Sequence, residues 1–143
     1  DFIAYAYASI GNDLIRNYER TENKLNKLDY VLDRWTGEGT SNTVPRVTTG
    51  PTNNNLFSSY FVEDASFLRI QNVQLGYTLP SKVVAKAGIS KVRFYAAANN
   101  LLTFSKYRGF DPTANNGNPI SGGIDYGFYP APTTYSFGLN VNF

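Results

Sequence analysis

The sequence predicts an all-β fold, an antiparallel transmembrane β-barrel of which this chain forms a part. Three observations point there. The chain ends on a strand in which Tyr135, Phe137, Leu139, Val141 and Phe143 occupy every second position, with Thr, Ser, Gly and Asn between them. At about 3.3 Å per residue and a tilt near 45°, residues 133–143 climb roughly 25 Å, the height of the apolar band of such a barrel. Three other stretches alternate in the same way, and the connections run long, short, long. That is the asymmetry of outer-membrane barrels, whose outer loops are long and whose periplasmic turns are short.

Each element follows in order. Residues 1–9 read as a strand entered part-way, alternating as Phe2, Ala4, Ala6, Ala8 or as Ile3, Tyr5, Tyr7, and broken by Gly11-Asn12-Asp13. From Leu14 to Trp35 the spacing turns helical: Leu25, Leu28, Leu32 and Trp35 predict one or two short helices. Both charge signs alternate between Arg16 and Arg34, the pattern of a solvated face. Residues 36–59 have the Gly, Pro, Asn, Ser and Thr density of an irregular loop, so about 10–60 is one long connection, too long for a mere linker.

The strand over about 61–79 holds Leu68 and Ile70 in one phase and Val73, Leu75, Tyr77 and Leu79 in the other. The slip at Gln71-Asn72 predicts a β-bulge. Pro80 ends the strand, and 81–90 read as one or two helical turns stopped at Gly88, inside a short turn of about 80–90. The strand over about 91–104 sets Val92, Phe94, Ala96 and Ala98 against Arg93, Tyr95, Ala97 and Asn99, and should pair antiparallel with its predecessor. A second long loop, about 105–132, precedes the last strand. Taking the turn at 80–90 as periplasmic places both long loops outside the cell and the end of the chain in the periplasm. Four strands are fewer than the about 8 of the smallest such barrels, so the chain is expected to be a slice of something larger.

Composition removes several function classes. Thirteen Lys and Arg stand against eleven Asp and Glu, for a net charge of +2, and the basic residues are scattered, so no nucleic-acid partner is expected. There is no Cys and no His, which excludes thiol nucleophiles, Ser-His-Asp triads and ordinary zinc sites from this stretch. Methionine is absent as well, so Asp1 is not expected to be a translation start. No apolar run approaches about 18 residues, which excludes a transmembrane helix but not transmembrane strands. Eleven Tyr and ten Phe suit an interfacial girdle, although sandwich cores and sugar-binding surfaces draw on the same residues.

Several stretches carry a family resemblance. "YFVEDASFLRIQNVQLGYTLP" at 60–80, "VRFYAAANNLLTFSKYRGFDP" at 92–112, "GIDYGFYP" at 123–130 and "YSFGLNVNF" at 135–143 resemble the C-terminal end of the SusC/RagA-like TonB-dependent outer-membrane transporters. "YASIGNDLIRN" at 7–17 and "LDRWTGEGTSNTVPR" at 32–46 look like the same family's preceding strand and loop. The family more usually has Gly-Ser-Tyr where this chain has Ala65-Ser66-Phe67, a change that keeps size and polarity. The resemblance implies a barrel of roughly 22 strands with an N-terminal plug, of which these residues would be the last four strands and the plug would be absent from this chain. It further implies TonB-dependent import of glycans, oligosaccharides or peptides across the bacterial outer membrane. Its partners would be a SusD-like surface lipoprotein acting as lid, the TonB complex, and outer-membrane lipid. Neither an enzymatic activity nor a cofactor is expected.

Within that frame, Trp35 in the first loop and Tyr107, Phe110, Tyr126 and Tyr129 in the second are the candidate substrate-binding residues, with Phe128 beside them. Flat aromatic faces stack on sugars while a few polar groups fix orientation. Packing of the loops onto one another, or an outer aromatic belt, draws on the same side chains. Tyr135, Phe137, Leu139, Val141 and Phe143 resemble the terminal signal by which outer-membrane barrels are recognised for insertion. Glu63, Asp64, Asp111 and Asp125 read as ordinary loop carboxylates and not as a hydrolytic pair. Residues 111–118 offer oxygen ligands but lack the order of a Ca²⁺ loop, so no metal site is expected. Arg69, Arg93 and Arg108 are expected to face a polar lumen and meet carboxylates.

The rival reading is a soluble β-sandwich carbohydrate-binding module, which needs a second sheet over one face. The two separate cleanly in solution. Residues 1–143 expressed alone are expected to be insoluble without detergent, since an apolar face and two strand edges stay exposed. A monomeric, cooperative melt in plain buffer would falsify the barrel.

Overall fold

The four alternating stretches are realised as strands in the computed structural model, which describes residues 1–19, 26–50, 52–115, 117, 118, 120 and 122–143. In chain order the elements are β1 (Phe2–Ser9), β2 (Asp13–Arg16), β3 (Val62–Asp64), β4 (Phe67–Thr78), the single helical turn α1 (Ser81–Val84), β5 (Lys91–Ser105), β6 (Ile124–Asp125) and β7 (Thr134–Asn142). Among the described residues, β1, β4, β5 and β7 form one antiparallel sheet in that order, and β3, β2 and β6 form a second, small one. Each long strand therefore neighbours the next long strand along the chain, as in an up-and-down barrel wall.

The register gives the large sheet two chemically distinct faces. One row runs Phe2, Leu75, Ala96, Phe137, the next Tyr77, Phe94, Leu139, and another Ala8, Leu68, Phe104. All are apolar, and among the described residues no second layer covers them: Leu75 is 63% and Phe137 82% exposed. On the opposite face the rows are mostly polar, running Asn72–Asn99–Thr134, Gln74–Ala97–Ser136 and Thr78–Arg93–Asn140. A β-sandwich needs the apolar face buried under another sheet, and here it is bare. A surface of that kind belongs against lipid, with the polar side toward a lumen.

The slip in alternation at Gln71 is a bulge, and it keeps the apolar rows on one side. Tyr5 faces Asn72 while Ala6 faces Ile70, so Gln71 has no partner in β1. Between the same two rungs, Ala4–Val73–Ala98 and Ala6–Ile70–Leu102, β1 spans two residue steps, β4 three and β5 four. The extra residue in β5 is taken up where Asn100 adopts φ 51°, a left-handed conformation that Asn tolerates better than most residues. Its carbonyl accepts a hydrogen bond from Thr133 Oγ1 at 2.9 Å, and its amide Nδ2 donates to the Pro132 carbonyl at 3.2 Å. Bulges bend strands and deepen right-handed twist, which a barrel wall requires.

At the other end of the sheet the short turn behaves as its sequence predicts. Pro80 precedes α1, a 3-10 turn covers Ala85–Ala87, and Gly88 at φ 71° ends it, with Val84 and Val92 buried beneath. On the polar face Tyr95 lies between Gly76 and Gly138 in register, and its ring fills the place a Cβ on Gly138 would take. An aromatic covering a glycine across strands supplies the packing that the glycine lacks.

Three expectations are corrected. The helical reading of 14–35 fails at its start, since Leu14 and Ile15 lie in β2, where they pair with Glu63 and Val62 and Ile15 also faces Ile124. Partners distant in sequence override the local period. Farther on, Asp29–Asp33 form only a 3-10 turn without a buried residue, and the positions 20–25 of that reading, Leu25 included, lie outside the described residues. The strand over 61–79 is two strands, because the chain turns inward at fully buried Ala65 and changes sheets.

A charge placed on each face gives opposite results. Leu75→Arg is expected to cost about 2–4 kcal/mol of barrel stability, and the neighbouring Gln74→Arg less than about 0.5 kcal/mol. Urea unfolding of the full barrel in lipid vesicles measures both; equal effects would contradict the lipid-facing assignment.

Candidate functional site

The two long loops fold together over one end of the sheet. Ile15 N–H donates to the Gly123 carbonyl at 2.8 Å and Asn17 N–H to the Asp125 carbonyl at 2.9 Å, so β6 of the second loop adds in parallel to β2 of the first. Ala65 N–H donates to the Asn12 carbonyl at 2.7 Å on the other side. Leu14, Ala65, Tyr107 and Ala114 form the buried centre of this cap, with Tyr18 and Phe128 against it.

Its polar groups are unusually buried. The Arg16 guanidinium is fully enclosed, with Nη1 at 3.3 Å from Glu19 and 3.2 Å from Glu63. Tyr30 and Tyr60 rings lie 5.1 Å from its central carbon, and Phe61 lies 5.7 Å away. Burial disfavours the cation, but the carboxylate of Glu19 and the hydroxyl of Tyr60 outweigh it and hold the Arg16 pKa above its ordinary value. Desolvated cation-π contacts are worth about 2 kcal/mol or more. Arg16 is thus the centre of a packed cluster and not part of a solvated face, which corrects the charge-pattern reading. Glu63 also receives Arg108 Nη2 at 2.9 Å, so one carboxylate ties β2, β3 and the second loop together.

A second tie fastens the cap to the barrel wall. Arg69, on the polar face of β4, donates from Nη2 to Asp111 Oδ1 at 2.6 Å and from Nε to Thr103 Oγ1 at 2.9 Å. Asp111 also accepts from Thr113 N–H at 2.9 Å, from the Thr113 hydroxyl at 2.7 Å and from Ala131 N–H at 3.4 Å. Burial pushes the Asp111 carboxyl up, yet the Thr113 and Arg69 hydrogen bonds prevail and hold it below the usual carboxylate range. Asp125, with no exposed surface, accepts from the Tyr107 hydroxyl at 2.7 Å and from Gly127 N–H at 2.8 Å. Burial, followed by that hydrogen bond, pushes the Tyr107 phenol well up, and burial beside Glu63 raises Tyr18 to about 12. Glu63, Asp64, Asp111 and Asp125 are thus all committed, Asp64 by accepting from Ser66 N–H at 2.8 Å. Among the described residues no cluster of His, Cys, Asp or Glu is placed to hold a metal ion.

None of the other four aromatic candidates lines the groove that holds Trp35. Tyr107 is 8% exposed and engaged with Asp125, so its place is in loop packing. Phe110 is exposed on the cap with its ring 6.1 Å from Tyr18, Tyr126 stands edge-on to Phe128 at 6.2 Å, and Tyr129 is 92% exposed. Trp35 lies apart, in a groove of about 420 Å³ built from the first loop with Tyr60, Asn42, Arg46, Asn53 and Asn54. Sequence reasoning missed the partners of Trp35, although the run Asn53-Asn54-Asn55 was visible, and it missed Arg16, for which no local signal existed. Arg69, Arg93 and Arg108 do meet carboxylates, Arg93 pairing with Asp1 at 2.7 Å. The strand residues Tyr135, Phe137, Leu139 and Val141 share the apolar face, and Phe143, just past β7, is 91% exposed.

Because Asp111 has a depressed carboxyl, its contribution is full above the unfolded value near 3.9 and is lost as pH falls through the lower folded value. Removing one partner of so buried a pair costs about 3–5 kcal/mol. In the full barrel, cleavage within 106–133 is therefore expected to stay slow from pH 7 to about 4 and to accelerate below it. Asp111→Asn is expected to be cut readily already at pH 7 by trypsin at Lys106 and Arg108. Equal protection of both proteins at pH 7 would show that the pair does not dock the loop.

No protein-family profile matches the chain. "TonB-dependent receptor P3" of Formosa agariphila is 34% identical over 152 residues, covering 100% of the chain and 15% of that receptor. "TonB-dependent receptor SusC" of Bacteroides thetaiotaomicron is 38% identical over 88 residues, 60% of the chain and 8% of its own length. The RagAB peptide importer in its open-open state superposes with a TM-score of 0.76 at 32% identity, over 99% of the chain and 15% of the importer chain. The chain thus spans about 15% of the length of these full-coverage relatives. With sequence, two-faced sheet and superposed fold in agreement, the chain belongs to the SusC/RagA-like TonB-dependent receptors and is one segment of their transmembrane β-barrel.

Proposed function

We propose that this segment walls the lumen and shapes the extracellular mouth of a TonB-dependent importer of oligosaccharides or peptides in the bacterial outer membrane. The observation that carries the reading is the two-faced sheet, bare and apolar on one side, polar on the other, with both long loops folded into a single cap at one end. The relatives favour it: one is SusC and another is the RagAB peptide importer.

In this reading the cap lies outside the cell, the turn at 80–90 faces the periplasm, and β7 runs inward so that Phe143 lies at the periplasmic rim. The first and second loops meet substrate and a SusD-like surface lipoprotein. Energy enters through a plug and TonB-contacting segment elsewhere in the protein. Tyr135, Phe137, Leu139, Val141 and Phe143 form the lipid-facing row recognised during barrel insertion. No catalytic step is assigned: Glu63, Asp64, Asp111 and Asp125 each already have a structural partner.

Function and orientation are tested together in cells carrying the full-length transporter. An epitope inserted at Gly50 is expected to be labelled on intact cells, and one inserted at Lys86 only after permeabilisation. Growth on one oligosaccharide or peptide source is expected to require both the transporter and an energised TonB complex. Surface labelling at Lys86, or growth unaffected by loss of either component on every source, would overturn the proposal.

A further inference from the structure

The apolar face of the wall is not flat where it nears the short turn. A groove of about 570 Å³ lies along β5, with Phe94 and Ala96 set between Leu75 and Tyr77 of β4 and Phe137 and Leu139 of β7. In register the rows are Leu75–Ala96–Phe137 and Tyr77–Phe94–Leu139, so the single methyl of Ala96 stands between two large side chains. β5 is paired on both edges, and the floor of the groove is thus complete within this chain. The Tyr77 phenol, 62% exposed, stands at the end nearer the turn, where an amphipathic ring suits a membrane interface.

Beside the groove the turn is basic. Val92 continues the alternation of Phe94 and Ala96, yet it is buried while Phe94 is half exposed. α1 packs against β5 and buries its own Val84, so the turn folds over the end of the apolar face. Hydrogen bonds fix it there: Leu79 N–H donates to the Val92 carbonyl at 2.9 Å, and Ser90 N–H to the Asn142 carbonyl at 2.8 Å. Lys82 and Lys86, four residues apart, are exposed on this turn together with Val83. Between Asp64 and Asp111 the sequence holds no Asp or Glu, so the turn has no acidic side chain of its own to neutralise them. Lys91 is set apart, in the phase of Arg93 on the polar face, where Arg93 pairs with Asp1.

We infer that this turn and groove together bind one anionic phospholipid, its phosphate at Lys82 and Lys86 and an acyl chain along Phe94 and Ala96. Charge complementarity selects the headgroup: lysines on a segment at the membrane surface attract anionic lipid, about five-fold in affinity for each. Height also matches. Four residues at about 3.3 Å and a tilt near 45° put Ala96 roughly 9 Å deeper than Val92, the level of the first carbons of a chain whose phosphate sits at the turn. A chainless phosphate would use the lysines and leave the groove empty. A second copy of the chain would cover the groove without need of the charge. The inference rests on the proposed orientation, which places the turn at the periplasmic leaflet.

The test uses the full-length transporter in phosphatidylethanolamine vesicles. A trace of phosphatidylglycerol or phosphatidylethanolamine carries a photoactivatable diazirine in its acyl chain, and labelled residues are mapped by mass spectrometry. Labelling of Phe94, Phe137 and Leu139 is expected to be at least about 10-fold greater from phosphatidylglycerol. That excess is expected to vanish in Lys82→Gln/Lys86→Gln and to fall in Ala96→Phe, which fills the groove, while excess glycerol phosphate leaves it unchanged. Unchanged heat-modifiability on gels shows that each variant barrel is intact. Equal labelling by the two lipids, an excess that survives either variant, or one abolished by glycerol phosphate overturns the site, as does crosslinking between two transporters through the groove. Such a failure leaves the importer and its orientation standing, whereas surface labelling of the Lys86 epitope on intact cells defeats the orientation separately.

Discussion

The register shift at Gln71 is the constraint on which the rest of the structure depends. On either side of it the apolar residues of β4 fall in opposite sequence phases, Leu68 and Ile70 against Val73, Leu75 and Tyr77. One unpaired residue restores them to a single face. Without it, half of the strand would turn its apolar side chains into the lumen and its Arg or Asn side chains into lipid, at a cost of kilocalories for each charge. The accommodation spreads across the sheet, from β4 to the left-handed Asn100 of β5, and Asn100 in turn is bonded to the segment entering β7. The extra residues of β4 and β5 together set the facing of the wall and the approach of the last strand.

From that wall the cap is held by few, deeply buried charges. Arg69 and Asp111 connect wall to loop, Glu63 connects the first loop's Arg16 to the second loop's Arg108, and Tyr107 and Asp125 brace the second loop from within. Buried ion pairs gain little over apolar packing, but they are unforgiving of misplacement, since a lone buried charge is expensive. A misplaced partner in this cap is therefore costly. The groove at Trp35 shares that constraint, because Tyr60 serves both the Arg16 cluster and the groove.

Much of the wall was legible in the sequence, because a strand between lipid and water must alternate, and alternation can be read residue by residue. The four long strands, the bulge at Gln71, the stop at Gly88 and the antiparallel pairing of β4 with β5 all came from local pattern. The cap was not legible. β2 and β6 are two to four residues long and pair across most of the chain, so their partners, not their own propensities, make them strands. Arg16 looked like one charge among alternating charges until Glu63, Tyr60 and Phe61 arrived from a distant segment. Among the aromatics, pattern could nominate Trp35 and Tyr107 alike; only packing separates a residue at a groove from one whose hydroxyl is spent on Asp125.

The parallel pairing of Ile15 with Ile124 also dictates an order of assembly. Closing so long a span is entropically unfavourable until the intervening strands are already paired and immobile. The cap is therefore expected to complete after β4 and β5, which lie between Ile15 and Ile124, have paired. Loops joined only by contacts so distant in sequence close last, upon a wall that is already paired.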